Sequence, residues 1–258
     1  MKKEHLTIVK VGGAVVEDPS KFEEFLTSFT ALPGHKVLIH GGGRSATKIA
    51  AALGIQSEMV EGRRITDANM LRIVTMVYGG LVNKNLVARL QAMGLNALGL
   101  TGADLDMIRS HKRPLVNGIN FGFVGDIERV NGYALQSLIE QGILPVIAPL
   151  THDGKGQLLN TNADTIAAQT AQALARLYEV TLVYSFEKNG VLRDPENSHS
   201  VIPKITRSDF DQFVNDGTVA KGMIPKLQNA LNAVDQGVKE VIITKYSALN
   251  GHQGTQIL

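Results

Sequence analysis

Two spacings of apolar residues alternate along this chain. Short runs rich in Val, Ile and Leu are too short for helices and predict buried strands. They lie at Thr7–Val11, Val37–Ile39, Asn96–Leu100, Leu144–Ile147, Val180–Ser185 and Val241–Thr244. Between these runs the apolar residues recur at helical spacing. Strands that alternate with helices predict an α/β fold, with a mostly parallel sheet covered by helices on both faces.

Capping residues indicate where several helices begin. Asp18 followed by Pro19 predicts an N-cap with proline at the first helical position. The helix that follows places four apolar side chains on one face, Phe22, Phe25, Leu26 and Phe29. Thr66 or Asp67 can cap a longer helix, which Gly79-Gly80 is expected to bend. The apolar stripe of that helix consists of Met70, Ile73, Val74, Val77 and Leu81.

The second half of the chain continues the alternation. Residues 107–129 are polar and dotted with glycine, which predicts short antiparallel strands. Thr151–Gly156 predicts a loop, and Thr255–Leu258 predicts a last edge strand. The alanine-rich helix after the loop can be capped by Asn162 or by Asp164.

Glycines follow two of the predicted strands directly. Gly41–Gly43 lie between the strand at Val37–Ile39 and a helix, and Gly12-Gly13 follow the first strand. Such corners bring bare backbone N–H groups and the positive end of a helix close to a ligand, so they favour an anion. Two of them predict an enzyme that handles phosphate.

Two other phosphate-binding patterns fit this sequence less well. A Walker A loop is absent, because no glycine-Lys-Ser/Thr triplet follows a suitably spaced glycine. The motif Gly41-x-Gly43-x-x-Ala46, with Glu61 about 20 residues on, matches a dinucleotide-binding fingerprint. That alternative leaves the corner after Lys10 unexplained.

Lys10 and Lys226 stand where a cation is costly. Lys10 ends an apolar strand, where its ammonium group needs an anionic partner unless it reaches water. Lys226 falls in the first turn of a predicted helix, where the helix dipole disfavours a cation. An anion near each lysine explains both positions, and two surface lysines are the alternative.

Composition narrows the possible partners. The chain has 258 residues, of which 26 are basic and 24 acidic, and its net charge of +2 indicates no polyanionic partner. The absence of cysteine excludes disulfides and fits a reducing cytoplasm. No apolar run approaches the roughly 20 residues that span a bilayer, and the first strand leaves no room for a signal peptide. We expect a cytoplasmic protein without nucleic-acid or membrane partners.

Two further groups of residues are assigned to structure rather than to binding. The histidines show no metal-ligand spacing, so His40 is assigned to packing. The basic segment His111–Arg113 is assigned to a solvated loop, because aromatic residues are not interleaved with it.

Seven short motifs, taken in order, resemble those of the amino acid kinase family across nearly the whole chain. They are Lys10-Val-Gly-Gly, His40-Gly-Gly-Gly, Gly62-x-Arg64-x-Thr66, Asn83-Lys84, Asn160-x-Asn162-Ala-Asp164, Gly222-Met-x-x-Lys226 and Gly254-Thr-x-Ile257. The resemblance implies a three-layer αβα sandwich with a mostly parallel central sheet. It also implies an acyl-glutamate-binding and dimerisation lobe at residues 1–150 and a nucleotide-binding lobe at residues 151–258, built on one continuous sheet.

The same resemblance implies an activity and its site. The enzyme would use ATP with Mg²⁺ to phosphorylate the γ-carboxylate of N-acetyl-L-glutamate in arginine biosynthesis, with no metal site formed by the protein itself. Catalysis would fall to Lys10 and Lys226, which contact the phosphoryl group, and to Asp164, which orients both lysines. Substrate binding would fall to Gly42, Gly43, Arg64 and Asn160. Nucleotide binding would fall to Gly12, Gly13, Ser185, Gly190, Gly222 and Met223.

Regulation and assembly follow from the same likeness. Family members that respond to arginine carry an extra N-terminal helix, which this sequence lacks, so we expect an arginine-insensitive homodimer. Glutamate 5-kinase and carbamate kinase are the nearest alternative activities. A catalytically silent sensor of an amino acid or a nucleotide, built on the same fold, is an alternative of another class.

The sequence departs from the family pattern at two places. The family usually has Thr/Ser-Asp-Val-x-Gly after the nucleotide-domain strand, whereas this chain has Ser185-Phe-Glu-Lys-Asn-Gly190. The aspartate is missing, and Glu187 or Lys188 could compensate for it. Arg44 follows the glycine corner, where proline or an apolar residue is common. An arginine there could recognise a second carboxylate, which makes N-succinyl-L-glutamate an alternative substrate.

Overall fold

The computed structural model describes residues 3–60, 63–194, 196–219, 223–250 and 253–258. Its strands, numbered in chain order, are β1 His5–Val11, β2 His35–His40, β3 Met59–Val60, β4 Arg63–Arg64, β5 Ala97–Leu100, β6 Ile108–Lys112, β7 Gly125–Val130, β8 Leu144–Ile147, β9 Leu150–His152, β10 Leu158–Asn160, β11 Glu179–Phe186, β12 Lys204–Ile205, β13 Glu240–Lys245 and β14 Thr255–Ile257. Its α-helices are α1 Gly13–Val16, α2 Pro19–Thr30, α3 Gly43–Ala52, α4 Ala68–Val74, α5 Asn83–Ala92, α6 Gly132–Glu140, α7 Ala163–Ala175, α8 Arg207–Asn215 and α9 Ile224–Asp235. A π-helical segment, Thr75–Val82, joins α4 to α5.

The chain forms two compact units. We call Met1–Val37 with Ala167–Leu258 the terminal unit, and Leu38–Ile166 the middle unit. In the terminal unit the strand order is β12-β14-β13-β11-β1, and β1, β11 and β13 are parallel. The register pairs Lys10 with Tyr184 and Val11 with Ser185, so the carboxyl ends of β1 and β11 lie side by side. Ligands of open α/β sheets bind at this edge.

The middle unit contains parallel strands and an antiparallel sheet. Strands β2, β8 and β5 are parallel neighbours in that order. A four-stranded sheet has the order β10-β9-β6-β7, in which β6 and β7 are antiparallel, as predicted for residues 107–129. The α/β class with a mostly parallel central sheet is therefore confirmed.

Local capping chemistry sets the helix boundaries. The Asp18 carboxylate accepts hydrogen bonds from the backbone N–H groups of Ser20 and Lys21 at the start of α2, as the Asp18-Pro19 pair predicted. The predicted apolar face of α2 is buried, namely Phe22, Phe25, Leu26 and Phe29. Asp67 rather than Thr66 caps α4, since its carboxylate accepts from Met70 N–H. Side-chain oxygens at the N-cap satisfy N–H groups that the helix itself leaves unpaired.

Leu81 departs from the predicted apolar stripe. Its side chain is half exposed, whereas Met70, Ile73, Val74 and Val77 are buried. The reason is the π-helical segment, whose i→i+5 hydrogen bonds change the angular spacing of side chains after α4. The bend expected at Gly79-Gly80 takes the form of this segment.

Three further predictions need correction. Thr255–Leu258 is not an edge strand, because β12 pairs with the outer side of β14. Two-residue β12 carries too little pattern to be recognised in a sequence. Thr151–Gly156 is only partly a loop, since β9 and β10 form an antiparallel pair across it. His111–Arg113 is not a solvated loop, because His111 and Lys112 belong to β6 and the Arg113 guanidinium donates to Asp126.

Among the described residues, no helix has both the length and the apolar composition needed to cross a bilayer.

Candidate active site

A cavity of about 160 Å³ opens in the middle unit. We call it the glycine cavity, because Gly41–Gly43 at the end of β2 form part of its wall. Arg63 and Arg64 of β4 and the segment Asn160–Ala163 also line it. The resemblance assigned Gly42, Gly43, Arg64 and Asn160 to substrate binding, and all of these line the same cavity.

Two helix N-termini reach this cavity. Helix α3 begins at Gly43, with Gly42 as its N-cap, and α7 begins at Ala163. Gly42, Gly43 and Ala163 all line the cavity. The N-terminal end of a helix carries about half a positive charge and unpaired N–H groups, and both helices are long enough for this effect. Together with the two arginines they favour an anionic guest.

Gly42 is required by space rather than by backbone conformation. Its φ of 175° is ordinary extended backbone. A Cβ placed on it would lie 2.8 Å from Cδ1 of the buried Tyr78 ring. Gly43 is different, since its Cβ would lie 3.5 Å from Arg64 Nη2, an ordinary contact distance.

Three hydrogen-bond acceptors hold the Arg64 guanidinium in place. Its Nη2 donates to the Gly43 carbonyl at 2.8 Å and to Thr47 Oγ1 at 3.0 Å. Its Nη1 donates to Ser57 Oγ. A guanidinium has five N–H donors in a rigid fork, so these contacts fix its plane at the cavity wall. A planar, fixed fork suits a carboxylate.

Asn160 is held by Thr66. Its Nδ2 donates to Thr66 Oγ1 at 3.0 Å, and Thr66 itself is fixed by backbone hydrogen bonds with Phe121 and Phe123. Gly122, between those two phenylalanines, has φ +69°, and a Cβ on it would lie 2.2 Å from the Thr66 carbonyl oxygen. The close approach at Gly122 therefore permits the arrangement that orients the Asn160 amide.

His40 contacts the glycine corner, and Asn83 contacts His40 in turn. The His40 ring is fully buried, and burial lowers its pKa to about 4. Its Nδ1 lies 2.8 Å from the Gly41 carbonyl oxygen, and the Asn83 amide lies 3.1 Å from its Nε2. A neutral ring that donates from Nδ1 and accepts at Nε2 satisfies both contacts. Asn83 also donates to the Val146 carbonyl. His40 therefore packs, as predicted, and it also anchors the corner.

In the terminal unit, Lys10 and Lys226 both lie over the ring of Phe186. Lys10 Nζ lies 5.6 Å and Lys226 Nζ 4.0 Å from the centroid of the Phe186 ring. The two ammonium nitrogens are therefore no farther apart than the sum of these distances. Lys10 is buried at the end of β1, and Lys226 lies in the first turn of α9. Residues from opposite ends of the sequence thus place their ammonium groups near one ring.

Phe186 also lines a second cavity, of about 340 Å³, in the terminal unit. We call it the apolar cavity, since Val219, Met223 and Ile243 contribute carbon surface to it. Gly190 lines it as well, and a Cβ on Gly190 would lie 2.7 Å from Thr255 Oγ1. Glycine is needed there for close packing against β14.

The other predicted nucleotide residues lie elsewhere. Ser185 is fully buried within β11, and the described lining of the apolar cavity does not include it. Gly12 is the N-cap of the short helix α1, which begins at Gly13. Gly222, like Glu61 of the dinucleotide alternative, lies outside the described residues. Met223 and Gly190 are the predicted residues that this cavity brings together.

Asp164 and Arg44 take positions that sequence alone left open. Asp164 lies in the first turn of α7, whose cap is Asn162, because Asn162 Oδ1 accepts from the N–H groups of Asp164 and Thr165. Arg44 is exposed and is absent from the described lining of the glycine cavity. Arg63 lines that cavity instead. No feature of the motif marked Arg63, since its neighbour Arg64 fills the family position.

Glu187 and Lys188, proposed to compensate for the missing aspartate, both line the apolar cavity. The Glu187 carboxylate is already paired with Lys21 of α2, at 2.5 Å. Within the described ranges, no group of three or more His, Cys, Asp or Glu side chains is arranged to hold a metal ion.

Comparison with known proteins identifies the family of this chain. The family model described as the amino acid kinase family matches residues 5–245. Acetylglutamate kinase of Bacteroides thetaiotaomicron is 61% identical over 255 residues, covering 99% of each chain, and that of Phocaeicola vulgatus is 62% identical over 99% of each. The crystal structure of smu.665 from Streptococcus mutans has a TM-score of 0.78 at 25% identity and covers 98% of each chain. The chain belongs to the amino acid kinase family.

Proposed function

We propose that this protein transfers the γ-phosphoryl group of ATP to the γ-carboxylate of N-acetyl-L-glutamate, a step of arginine biosynthesis. The observation that carries the proposal is the position of the Lys10 and Lys226 ammonium groups, which lie 5.6 Å and 4.0 Å from the centroid of the same Phe186 ring. Two cations beside a cavity with carbon walls suit a polyphosphate attached to a flat base. The acceptor is supported by the 61% identity with a protein named acetylglutamate kinase.

Charge explains what the lysines do in this reaction. A γ-carboxylate oxygen attacks the γ-phosphorus, the bond from that phosphorus to the β,γ-bridging oxygen breaks, and ADP leaves with its electron pair. Both reactants are anions, so catalysis depends on alignment and on positive charge at the transferring group. No general base is needed, because the carboxylate is already ionised at neutral pH. Lys10 and Lys226 supply the charge, and Asp164 is proposed to orient them.

The glycine cavity is proposed to bind the acceptor. The pinned Arg64 fork would hold one carboxylate, and the Asn160 amide would hydrogen-bond the acyl-amino group. The N–H groups at Gly42 and Gly43 would hold carboxylate oxygens. Since these groups are fixed before binding, little ordering is needed when substrate arrives.

The apolar cavity is proposed to bind the nucleotide base, with Gly190 and Met223 at its wall. This proposal also includes a nucleotide-binding role for four further residues, Gly12, Gly13, Ser185 and Gly222. Mg²⁺ would enter bound to the phosphates, which is how it commonly binds in kinases, and would neutralise phosphate charge. The described residues offer no separate cage for it.

A homodimer in the cytoplasm is also proposed. Met76 and Leu81, on the π-helical segment of the middle unit, are exposed by 58% and 50%. Large exposed apolar side chains on one element are often covered by a partner. Light scattering should give twice the mass of 27.8 kDa, and a monomer at micromolar concentration would contradict the dimer.

The alternatives receive less support. The names of the relatives do not favour N-succinyl-L-glutamate or a silent sensor, and the exposed position of Arg44 removes the basis for a second carboxylate site there. The test is ADP release with a panel of acceptors, namely N-acetyl-L-glutamate, N-succinyl-L-glutamate, L-glutamate and carbamate. We expect the highest kcat/KM with N-acetyl-L-glutamate. Preference for another acceptor, or no release with any of them, would overturn the proposal.

A further inference from the structure

We propose that His40 and Asn83 are positioning residues, which hold the Gly41–Gly42 peptide so that the Gly42 N–H group points into the glycine cavity. Neither side chain belongs to the described lining of that cavity, and both act through one backbone carbonyl. The inference rests on the proposed function, because the Gly42 N–H group is proposed to hold a carboxylate oxygen of the acceptor. It also gives a role to Asn83, whose motif has none in the proposed reaction.

The orientation of the Asn83 amide is decided by Val146 in β8. The Val146 carbonyl oxygen can only accept a hydrogen bond, and it lies 2.9 Å from Asn83 Nδ2. The amide must therefore turn its nitrogen toward β8 and its oxygen away from it. On the oxygen side the packing is close, since a Cβ on Gly99 would lie 1.9 Å from Asn83 Oδ1. Asn83 is buried, so its orientation follows from these neighbours.

The orientation of Asn83 decides which nitrogen of His40 carries the proton. The same Asn83 Nδ2 lies 3.1 Å from His40 Nε2, and an amide nitrogen donates only. His40 Nε2 must then accept, which leaves the proton on Nδ1, 2.8 Å from the Gly41 carbonyl oxygen. Burial lowers the pKa of His40 to about 4, so the ring is neutral at pH 7 and carries this one proton.

The hydrogen bond to the Gly41 carbonyl fixes the Gly42 N–H group, because both belong to one planar peptide. In a trans peptide the C=O and N–H bonds point in opposite directions, so the Gly42 N–H points away from the His40 ring. Gly42 lines the glycine cavity, and no residue that the structure describes accepts a hydrogen bond from its N–H group. A peptide between two glycines has few steric limits on its rotation. The contact with His40 therefore supplies the restriction.

The kinetic test compares His40→Asn with His40→Gln in the full chain. The amide of Asn takes the place of Nδ1 and can still donate to the Gly41 carbonyl, whereas the amide of Gln takes the place of Nε2. We expect His40→Gln to raise the KM for N-acetyl-L-glutamate about tenfold, as when a hydrogen bond to a charged group is lost, and His40→Asn to raise it less than about threefold. The KM for ATP should change in neither variant.

A purely structural role of His40 predicts the reverse order of the two variants. Asn is smaller than Gln and leaves the larger void in a buried position, so it would be the more harmful substitution. Thermal unfolding would show this loss of stability separately from KM. Because packing and hydrogen bonding predict opposite orders, the pair of variants distinguishes between them.

Nitrogen NMR reads the tautomer directly. Long-range proton–nitrogen correlation spectra of labelled wild-type protein at neutral pH should show His40 with a protonated Nδ1 and an unprotonated Nε2. The signals are assigned by their loss in His40→Gln. A proton on Nε2, in a neutral or a charged ring, would overturn the proposal.

The role of Asn83 is tested by the same spectra. A carboxylate only accepts, so Asn83→Asp should place a proton on His40 Nε2, and an unprotonated Nε2 in that variant would overturn the role of Asn83. Asn131→Asp is the matched control, because Asn131 of the same unit uses Oδ1 to accept from the Ala134 N–H group. It should leave the His40 signals and the KM unchanged. The wild-type spectrum and the two His40 variants test the proposal even where Asn83→Asp does not fold.

The outcomes separate this inference from the proposed function. An active wild type in which His40→Asn has the same KM as His40→Gln, or a higher one, would overturn the positioning role and leave the kinase proposal standing. A wild type without turnover would overturn the kinase proposal. Calorimetric titration of the two His40 variants with N-acetyl-L-glutamate then decides: tighter binding by His40→Asn supports the positioning role, and equal affinities or absence of binding would overturn it.

Discussion

The glycine cavity presents fixed dipoles and a guanidinium held by hydrogen bonds, whereas the apolar cavity presents carbon surface that includes the Phe186 ring, over which the Lys10 and Lys226 ammonium groups lie. Arg64 is held by hydrogen bonds to Gly43 and Thr47, while Lys10 and Lys226 contact a ring. The glycine cavity therefore fits a substrate group whose charge stays in the same position during the reaction. The two lysines fit a group in transit, because ammonium groups on flexible stems can follow it. Damage to the glycine cavity should therefore raise KM, and damage to the lysines should lower kcat.

The largest expected effect comes from removing a lysine. Lys10→Ala and Lys226→Ala should each lower kcat by about 10²–10³, as when one donor is lost from an oxyanion site. The KM for N-acetyl-L-glutamate should stay within about threefold of wild type, since neither lysine belongs to the glycine cavity. Steady-state kinetics with both substrates varied would measure this.

Lys36→Ala is the control for these variants. Lys36 lies over Phe29, and burial lowers its pKa, so it is a partly buried lysine of the same unit. Its removal should change the free energy of unfolding but not kcat. Near-normal turnover in Lys10→Ala or Lys226→Ala would remove the distinction between the two cavities.

The second effect concerns the pH dependence of stability at the glycine corner. The folded-state pKa of His40, about 4, is below its unfolded value near 6.5. The unfolded state therefore binds the proton more readily, so stability is present above pH 6.5 and is lost as pH falls toward 4. The loss amounts to roughly 3 kcal/mol for this group.

His40→Gln isolates that contribution. The variant should be less stable than wild type at pH 7.5, because the contacts to Gly41 and Asn83 are altered. Its stability should fall less steeply between pH 6.5 and 4.5 when both proteins are unfolded in urea. Parallel curves for the two proteins would show that His40 is not neutral in the folded state.

The third effect is on substrate affinity. Arg64→Lys keeps a positive charge but loses the planar fork, and the KM for N-acetyl-L-glutamate should rise by about 10- to 100-fold, with kcat changed less. Arg129→Lys, in an exposed pair with Asp106 of the same unit, should leave both constants unchanged. A collapse of kcat with unaltered KM would place Arg64 among the groups that act on the transferring phosphoryl.

The smallest effect compares two adjacent glycines. In Gly42→Ala the new Cβ meets the Tyr78 ring at 2.8 Å, so the ring must move, at a cost of about 1–3 kcal/mol in stability. In Gly43→Ala the nearest atom lies at 3.5 Å and the change should be small. Thermal unfolding of the pair would check this, and equal melting temperatures would mean that Tyr78 adapts freely.

Sequence predicted those features that depend on neighbours along the chain. The Asp18-Pro19 cap and the buried face of α2 follow from local hydrogen bonding and helical spacing, and the structure has both. The prediction that Leu81 is buried was wrong because a π-helical segment changes the angular spacing of the side chains, and the sequence gives no sign of this segment beyond Gly79-Gly80. The prediction that β14 is an edge strand was wrong because β14 pairs with β12, a segment far from it in the sequence.

The candidate site shows the same limit. Arg64 and Asn160, which the motif order assigns to substrate binding, line one cavity. The motif order gave no sign that Ser185 would be fully buried, nor that Arg63 would line the cavity. In the sequence, Phe186 shows only that the aspartate of the family pattern is missing. The position of two distant lysines over its ring is visible only in three dimensions.

The most direct test of phosphoryl transfer to a carboxylate is trapping of the acyl phosphate. Wild-type protein with ATP, Mg²⁺ and N-acetyl-L-glutamate is assayed in hydroxylamine, and hydroxamate is counted against ADP. The account predicts one hydroxamate for each ADP, and loss of both products together in Lys226→Ala. ADP released without hydroxamate, or hydroxamate formed equally well by Lys226→Ala, would contradict it.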